Sequence, residues 1–216
     1  MLLRDLIRRI TGYNIIPANG QSPEIVDLKN TLNSLIGQII YAKRANDISN
    51  NTRSCGDPCL EALIVNNFNS HSQRFKANWL SSSGYPDIEI VDLTTNSPRL
   101  YIEVKVTTRQ NPSSQRDFYL SPGKSQINNI TSVGNTLRFD ITATLGNTSS
   151  KIRGDAPHIL ALFKFSGIPN CPNLPPKCNC WRLQGYHLYD LYPLDLNLKL
   201  EFNTNYQKIM RTCPMI

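Results

Sequence analysis

Two short stretches decide the reading of this chain: Pro86-Asp87-Ile88-Glu89-Ile90-Val91-Asp92-Leu93 and Leu100-Tyr101-Ile102-Glu103-Val104-Lys105-Val106. Each alternates apolar and polar residues and is rich in β-branched side chains, the signature of a strand with one face in a core. Asn96-Ser97-Pro98 between them reads as a turn, so the two strands are close enough in sequence to form a hairpin. In the second strand Leu100, Ile102, Val104 and Val106 point one way, and Tyr101, Glu103 and Lys105 point the other. In the first, Ile88 and Ile90 take the core face, leaving Asp87 and Glu89 opposite. Pairing the strands brings Asp87 near Glu103 and Lys105, so that two carboxylates and a lysine converge.

Further along, His158-Ile159-Leu160-Ala161-Leu162-Phe163-Lys164-Phe165 is a short, strongly apolar run that suits a central strand, and Trp181 to Tyr192 reads as one more. The segment Leu137 to Leu145 fits a strand and a helix equally. Upstream the period is helical. Leu2, Leu3, Leu6, Ile7 and Ile10 recur at helical spacing up to Gly12. Ser22-Pro23 opens a second helix, cap then proline, predicted to run through Ile39 and Ile40. Asp57-Pro58 opens a third, through Phe68, in which Glu61 is surrounded by apolar residues. A fourth is expected from Ser121-Pro122-Gly123 through Ile127 and Ile130. Helices before, between and after strands place the chain in the α/β (α+β) class.

The chain has 216 residues, enough for one core without staples. It carries 23 Lys and Arg against 16 Asp and Glu, a net +7, which suits a polyanionic partner. No apolar run approaches the roughly 20 residues that span a bilayer. Met1-Leu2-Leu3-Arg4-Asp5 lacks the apolar stretch of a signal peptide, so a cytoplasmic location is expected. Six cysteines are few for a disulfide scaffold of this size, so free thiols are expected. Cys171, Cys178 and Cys180 share a Pro/Asn-rich loop; zinc held there with His187 or Cys213 is the less favoured alternative.

The converging cluster has a specific chemical use. Two carboxylates, completed by water and a substrate phosphate oxygen, suit a hard divalent cation such as Mg²⁺. Such an ion stabilises charge developing at phosphorus and on the leaving oxygen. A lysine beside it can orient the attacking water or help deprotonate it.

Pro86-Asp87 followed by Glu103-Val104-Lys105 resembles the active-site motif of the PD-(D/E)XK nuclease superfamily. Phe118-Tyr119-Leu120-Ser121-Pro122-Gly123-Lys124 and Ala156-Pro157-His158-Ile159-Leu160 look like downstream parts of its type II restriction endonucleases. The resemblance spans roughly residues 55 to 166. It implies a restriction-endonuclease-like mixed sheet flanked by helices. It also implies Mg²⁺-dependent cleavage of double-stranded DNA at a short specific sequence, leaving 5′-phosphates. Asp87, Glu103 and Lys105 would be catalytic. Asp87 and Glu103 would hold the metal, joined by Glu61, because an acidic residue on the preceding helix often reaches the metal site in this superfamily. The other reading of Glu61 is a buried carboxylate paired with an arginine. A single nuclease domain over 1–216 is expected, helical over about 1–80, with the catalytic core over about 55–166 and a C-terminal part over 167–216. Two rival readings are a structure-specific repair or recombination nuclease, such as a junction resolvase, and a catalytically silent DNA-binding protein.

Lys124, Arg109, Arg116, Arg138, Lys151 and Arg153 are available for DNA, each equally explained as a phosphate contact or a solvated charge. A palindromic target calls for a homodimer, with Leu2, Leu6 and Ile10 offering a candidate apolar stripe or else packing on the core. Gly123-Lys124-Ser125 is no P-loop, because its first glycine position holds Phe118. His158 reads as a core-edge histidine. Tyr186, Tyr189 and Tyr192 read as packing residues.

Overall fold

The structure, a computed structural model, describes residues 2–44, 47–48, 59–80, 85–108, 151–171, 173–194 and 215, together with the backbone of 130–133 and 136–139. The principal sheet is built on the quoted hairpin. Strands β1 (Ile15–Ile16), β2 (Ile39–Ala42), β3 (Phe75–Trp79), β4 (Ile88–Asp92), β5 (Pro98–Thr107), β8 (Ala156–Gly167) and β9 (Asn179–Asp190) form it in the order β2-β9-β8-β5-β4-β3, with β1 added to β8. β3, β4 and β5 are an antiparallel meander. β5 then pairs with β8 in parallel, Glu103 opposite Leu160 and Lys105 opposite Leu162. β8 continues antiparallel to β9, and β9 to β2. A separate pair, β6 (Ile130–Val133) and β7 (Thr136–Phe139), lies off this sheet.

Three helices flank the mixed sheet. α2 (Pro23–Leu35) and α3 (Leu60–His71) cover one face, where Ile25, Leu28, Leu32, Ile64 and Phe68 pack on Leu100, Ile102, Val104 and Val106 of β5. α1 (Leu3–Thr11) covers the other with Leu3, Leu6 and Ile7, against Ile15, Leu160, Leu162 and Tyr189. Of the candidate stripe, Leu6 is essentially inaccessible and Ile10 packs partly on the core, while Leu2 is half-buried. This is the restriction-endonuclease-like arrangement, a mixed sheet between helices. Among the described residues no helix is long and apolar enough to cross a membrane.

Several boundaries differ from the sequence expectation, for local reasons. α1 ends at Gly12, which takes φ 81, a left-handed cap that glycine adopts without a Cβ penalty. α2 stops at Leu35 instead of running through Ile40. Gly37 at φ 89 turns the chain out of the helix, and the β-branched pair Ile39-Ile40 joins the sheet edge as β2. α3 starts at Leu60 with Cys59 in the capping position, while Asp57 and Pro58 lie outside the described residues. Ile130 opens β6 instead of closing a helix. The remainder of that expected helix, from Ser121, also lies outside the description, as does Leu137–Leu145 beyond its β7 portion. β3 escaped the sequence reading because Phe75 and Ala77 alone supply its buried alternation.

The cysteine expectation is corrected. Cys171 and Cys180 are joined in a disulfide, and Cys178 is also disulfide-bonded, which removes the thiols a zinc site would need. The β8–β9 hairpin is the cause. Gly167 lies opposite Trp181, so the returning loop brings Cys171 within 6.0 Å of Cys180 between Cα atoms, inside the range a disulfide spans. Cys59 is free and buried; Cys55 and Cys213 lie outside the described residues.

Candidate active site

The ladder between β4 and β5 ends where the site begins. Ile88 is the last residue of β4 in register, opposite Ile102. Asp87 keeps one main-chain bond to β5, from its N–H to the Ile102 carbonyl, and turns its own carbonyl to the N–H of Leu80. The next donor on β5, the N–H of Val104, is taken by the Asp87 carboxylate at 2.8 Å. That substitution of side chain for backbone fixes the carboxylate between Glu103 and Lys105 in the sequence of β5. A buried N–H without an acceptor would be costly, so the same bond stabilises the strand end.

Glu103 faces away from the α2–α3 core, yet it is only 1% exposed. One of its oxygens, Oε1, accepts from the Lys105 ammonium in a close ion pair. Lys105 is itself largely covered and also donates to the Val104 carbonyl. Burial, reinforced by the negative charge of Asp87, pushes the Glu103 carboxyl up to about 8. The Lys105 ammonium is held above its ordinary range; desolvation opposes its charge, but Glu103, Asp87 and Glu61 outweigh it.

Glu61 enters from the first turn of α3, where the helix N-terminus favours a carboxylate. It is buried and likewise pushed up to about 8, by burial first and by Asp87 second, with Lys105 acting the other way. Among the described residues no arginine pairs with it. Its bonding neighbour is the buried thiol of Cys59, which rises to about 11, chiefly through desolvation.

Among the described residues, Oε2 of Glu61 and Oε2 of Glu103 are buried with no hydrogen-bond donor. Two orphaned carboxylate oxygens beside a third carboxylate form a donor set of the type a hard divalent cation completes. No three acidic, His or Cys side chains among the described residues converge into a ready-made cage. Mg²⁺ usually takes one or two carboxylates and fills its remaining positions with water and phosphate oxygens.

Lys151 also lines the site; the sequence offered it only as one of several cations available for DNA, with no link to the carboxylates. Its Nζ donates to the Pro86 carbonyl at 2.9 Å, and its charge faces Asp87 and Glu103. Sixty-four residues separate it from Asp87, and no spacing motif connects them. Glu89, by contrast, stands apart from the cluster. It takes a bidentate pair from Arg153, Nε at 2.8 Å and Nη2 at 3.2 Å, and a bond from the Tyr101 hydroxyl. Arg153 also donates Nη1 to the Asn96 carbonyl, so its guanidinium serves the β4–β5 turn. Arg109, Arg116 and Lys124 lie outside the described residues.

His158 is fully buried behind the site. Its Nδ1 meets the Tyr85 hydroxyl at 2.6 Å, and its ring packs on Tyr101. Burial depresses its basicity to about 3, so it stays neutral, as a core histidine. Tyr186 and Tyr192 are packing residues: one bonds to α2, the other lies under Arg4.

A mixed sheet between helices, carrying buried carboxylates and lysine on the exit of its central hairpin, is the architecture of a restriction-endonuclease-like enzyme. Residues 1–143 match the family model described as "Type II restriction enzyme MjaV family", and the chain belongs to that family. It is thus a type II site-specific deoxyribonuclease, and DNA is its substrate. The matched span contains Glu61, Asp87, Glu103 and Lys105 and ends before Lys151. No curated protein and no solved structure gives a match.

Proposed function

We propose that the enzyme hydrolyses phosphodiester bonds of double-stranded DNA with Mg²⁺ at the Asp87–Glu103–Lys105 cluster, as a PD-(D/E)XK nuclease. One observation carries the reading: Glu103 is buried with an unpartnered oxygen, beside a carboxylate pinned to Val104 and an ammonium two residues on. A solvated hairpin ion pair would be exposed and would leave no buried oxygen unmet.

In this reading Asp87 and Glu103 hold the ion, with Glu61 contributing from α3. The ion supplies Lewis-acid stabilisation of charge at phosphorus and the leaving oxygen. Asp87 is oriented by the Val104 N–H, so its position is set before DNA arrives. Glu103 keeps Lys105 in place through their ion pair. Lys105 orients the water for in-line attack and favours hydroxide by its charge. The product carries a 5′-phosphate and a 3′-hydroxyl. A two-fold dimer of single-domain chains would present one centre to each antiparallel strand of a near-palindromic site.

The experiment is digestion of a plasmid of known sequence with Mg²⁺, with ends mapped at nucleotide resolution. Discrete double-strand ends bearing 5′-phosphates are expected. Undiminished cutting in excess chelator would overturn the metal reading, and 3′-phosphate ends would overturn the proposed attack.

A further inference from the structure

We propose that Lys151 is a positioning residue of the nuclease centre, clamping the Pro86 carbonyl so that Asp87 stands in fixed relation to Glu103. The proposal rests on the reading of Asp87 and Glu103 as the metal-holding pair. The family match ends at residue 143 and so assigns nothing to Lys151.

The first observation is the bond itself. Nζ of Lys151 donates to the carbonyl of the residue immediately before Asp87, at 2.9 Å, and Lys151 is only 6% exposed. The Asp87 side chain is gripped separately by the Val104 N–H. Asp87 is therefore fixed at both ends, its main chain through Pro86 and its carboxylate through β5. With the Asp87 N–H bonded to Ile102 and its carbonyl to Leu80, the Lys151 bond sets the fine placement of the peptide that precedes Asp87, and its loss shifts the carboxylate.

The second observation is that the segment presenting Lys151 is itself anchored. Two residues on, Arg153 makes its bidentate pair with Glu89, and its N–H donates to the Tyr101 hydroxyl at 2.9 Å. Four residues on, Asp155 accepts from the N–H and Nδ2 of Asn14, at 2.7 and 3.0 Å. Catalytic geometry survives only when supporting residues are locked in turn, and this segment meets that requirement on both β4 and the approach to β1.

Charge supplies the third observation. Burying an ammonium is expensive, and packing alone would be served better by Leu or Met. Here the ammonium faces Asp87 and Glu103, the two carboxylates that Lys105 also faces. A lysine in this place eases the mutual repulsion of the carboxylates while it holds the main chain.

The test compares full-length wild type, Lys151→Met, Lys151→Arg and Asp87→Asn on a plasmid that the wild type cuts. Binding to the same DNA is measured in Ca²⁺, and folding by circular dichroism. Lys151→Met should lower kcat by about 30- to 100-fold, the scale of a misplacement near 1 Å. KM and DNA affinity should stay within about twofold. Lys151→Arg, which keeps charge and donors, should recover at least part of the rate. A residue that merely supported the fold would lower thermal stability and leave kcat of the folded protein unchanged. If Lys151→Met does not fold, Lys151→Gln is judged by the same kcat criterion. A folded Lys151→Met or Lys151→Gln protein within threefold of wild-type kcat, beside an inactive Asp87→Asn protein, would overturn this inference alone. Active Asp87→Asn would overturn the metal-centre reading beneath it.

Discussion

Replacing Glu103 by glutamine should move activity and stability in opposite directions. The substitution keeps the shape of the side chain and removes its charge from a position that is 1% exposed. Loss of an anionic ligand removes several kcal/mol of charge stabilisation from the transition state, a factor of about a thousand or more in rate. In the metal-free protein the same charge is a burden, since burial and Asp87 raise the Glu103 carboxyl from 4.5 to about 8. The folded state then binds a proton that the unfolded chain releases near pH 4.5. Stability therefore falls as pH rises from about 4.5 through about 8. At about 1.4 kcal/mol per tenfold, the burden above pH 8 is of order 5 kcal/mol. For a chain of this size that corresponds to about 10 °C in melting temperature. The assay is single-turnover plasmid cleavage with Mg²⁺, together with thermal unfolding in chelator at pH 6 and pH 9. Glu103→Gln should be nearly inactive, yet lose much less stability than wild type between the two pH values. Near-wild-type cutting, or parallel pH dependence of the two proteins, would refute the reasoning.

Other outcomes follow from neighbouring groups. Lys105→Ala should reduce cleavage by about a thousandfold while Ca²⁺-supported DNA binding persists, measured by gel shift beside a cleavage time course. A folded Lys105→Ala enzyme that cuts normally would remove Lys105 from the mechanism. His158 is held neutral down to about pH 3, against 6.5 when unfolded, so its contribution is present above about 6.5 and is lost as pH falls toward 3. Wild type should thus take up about one more proton on unfolding at pH 5 than His158→Phe does, read from the pH dependence of the melting temperature. Thiol titration of the unfolded, unreduced protein should yield fewer free thiols than after reduction, because Cys171 and Cys180 are bonded; six in both conditions would contradict that pairing.

The hairpin was legible because its physics is local. Alternation of Ile88 and Ile90 against Asp87 and Glu89, and of Ile102, Val104 and Val106 against Glu103 and Lys105, sets faces that tertiary packing had only to accept. Glu61 was legible for a related reason: a carboxylate ringed by apolar residues on a helix has to face something. The sequence offered Lys151 as a cation for DNA, but its place beside the carboxylates was hidden, because that depends on where the chain returns to the sheet before β8. Arg153 looked like a free cation for DNA; its pairing with Glu89 depends on the same return. The Ile39-Ile40 pair shows the converse. Helical spacing from Leu28 to Leu35 invited continuation, and Gly37 with the open edge of β9 ended it. The Cys171–Cys180 bond follows from hairpin register, which composition does not encode.

The central claim is that a divalent metal sits between Asp87 and Glu103. Iron-directed cleavage of the polypeptide tests it most directly: Fe²⁺ replaces Mg²⁺, ascorbate and peroxide generate hydroxyl radical at the bound ion, and fragment masses locate the cuts. Cuts clustered at Asp87 and at Glu103 to Lys105, with a weaker one at Glu61, suppressed by excess Mg²⁺ and absent in Asp87→Asn, are predicted. Cuts elsewhere, or cuts at these positions that Mg²⁺ and Asp87→Asn leave unchanged, would contradict it.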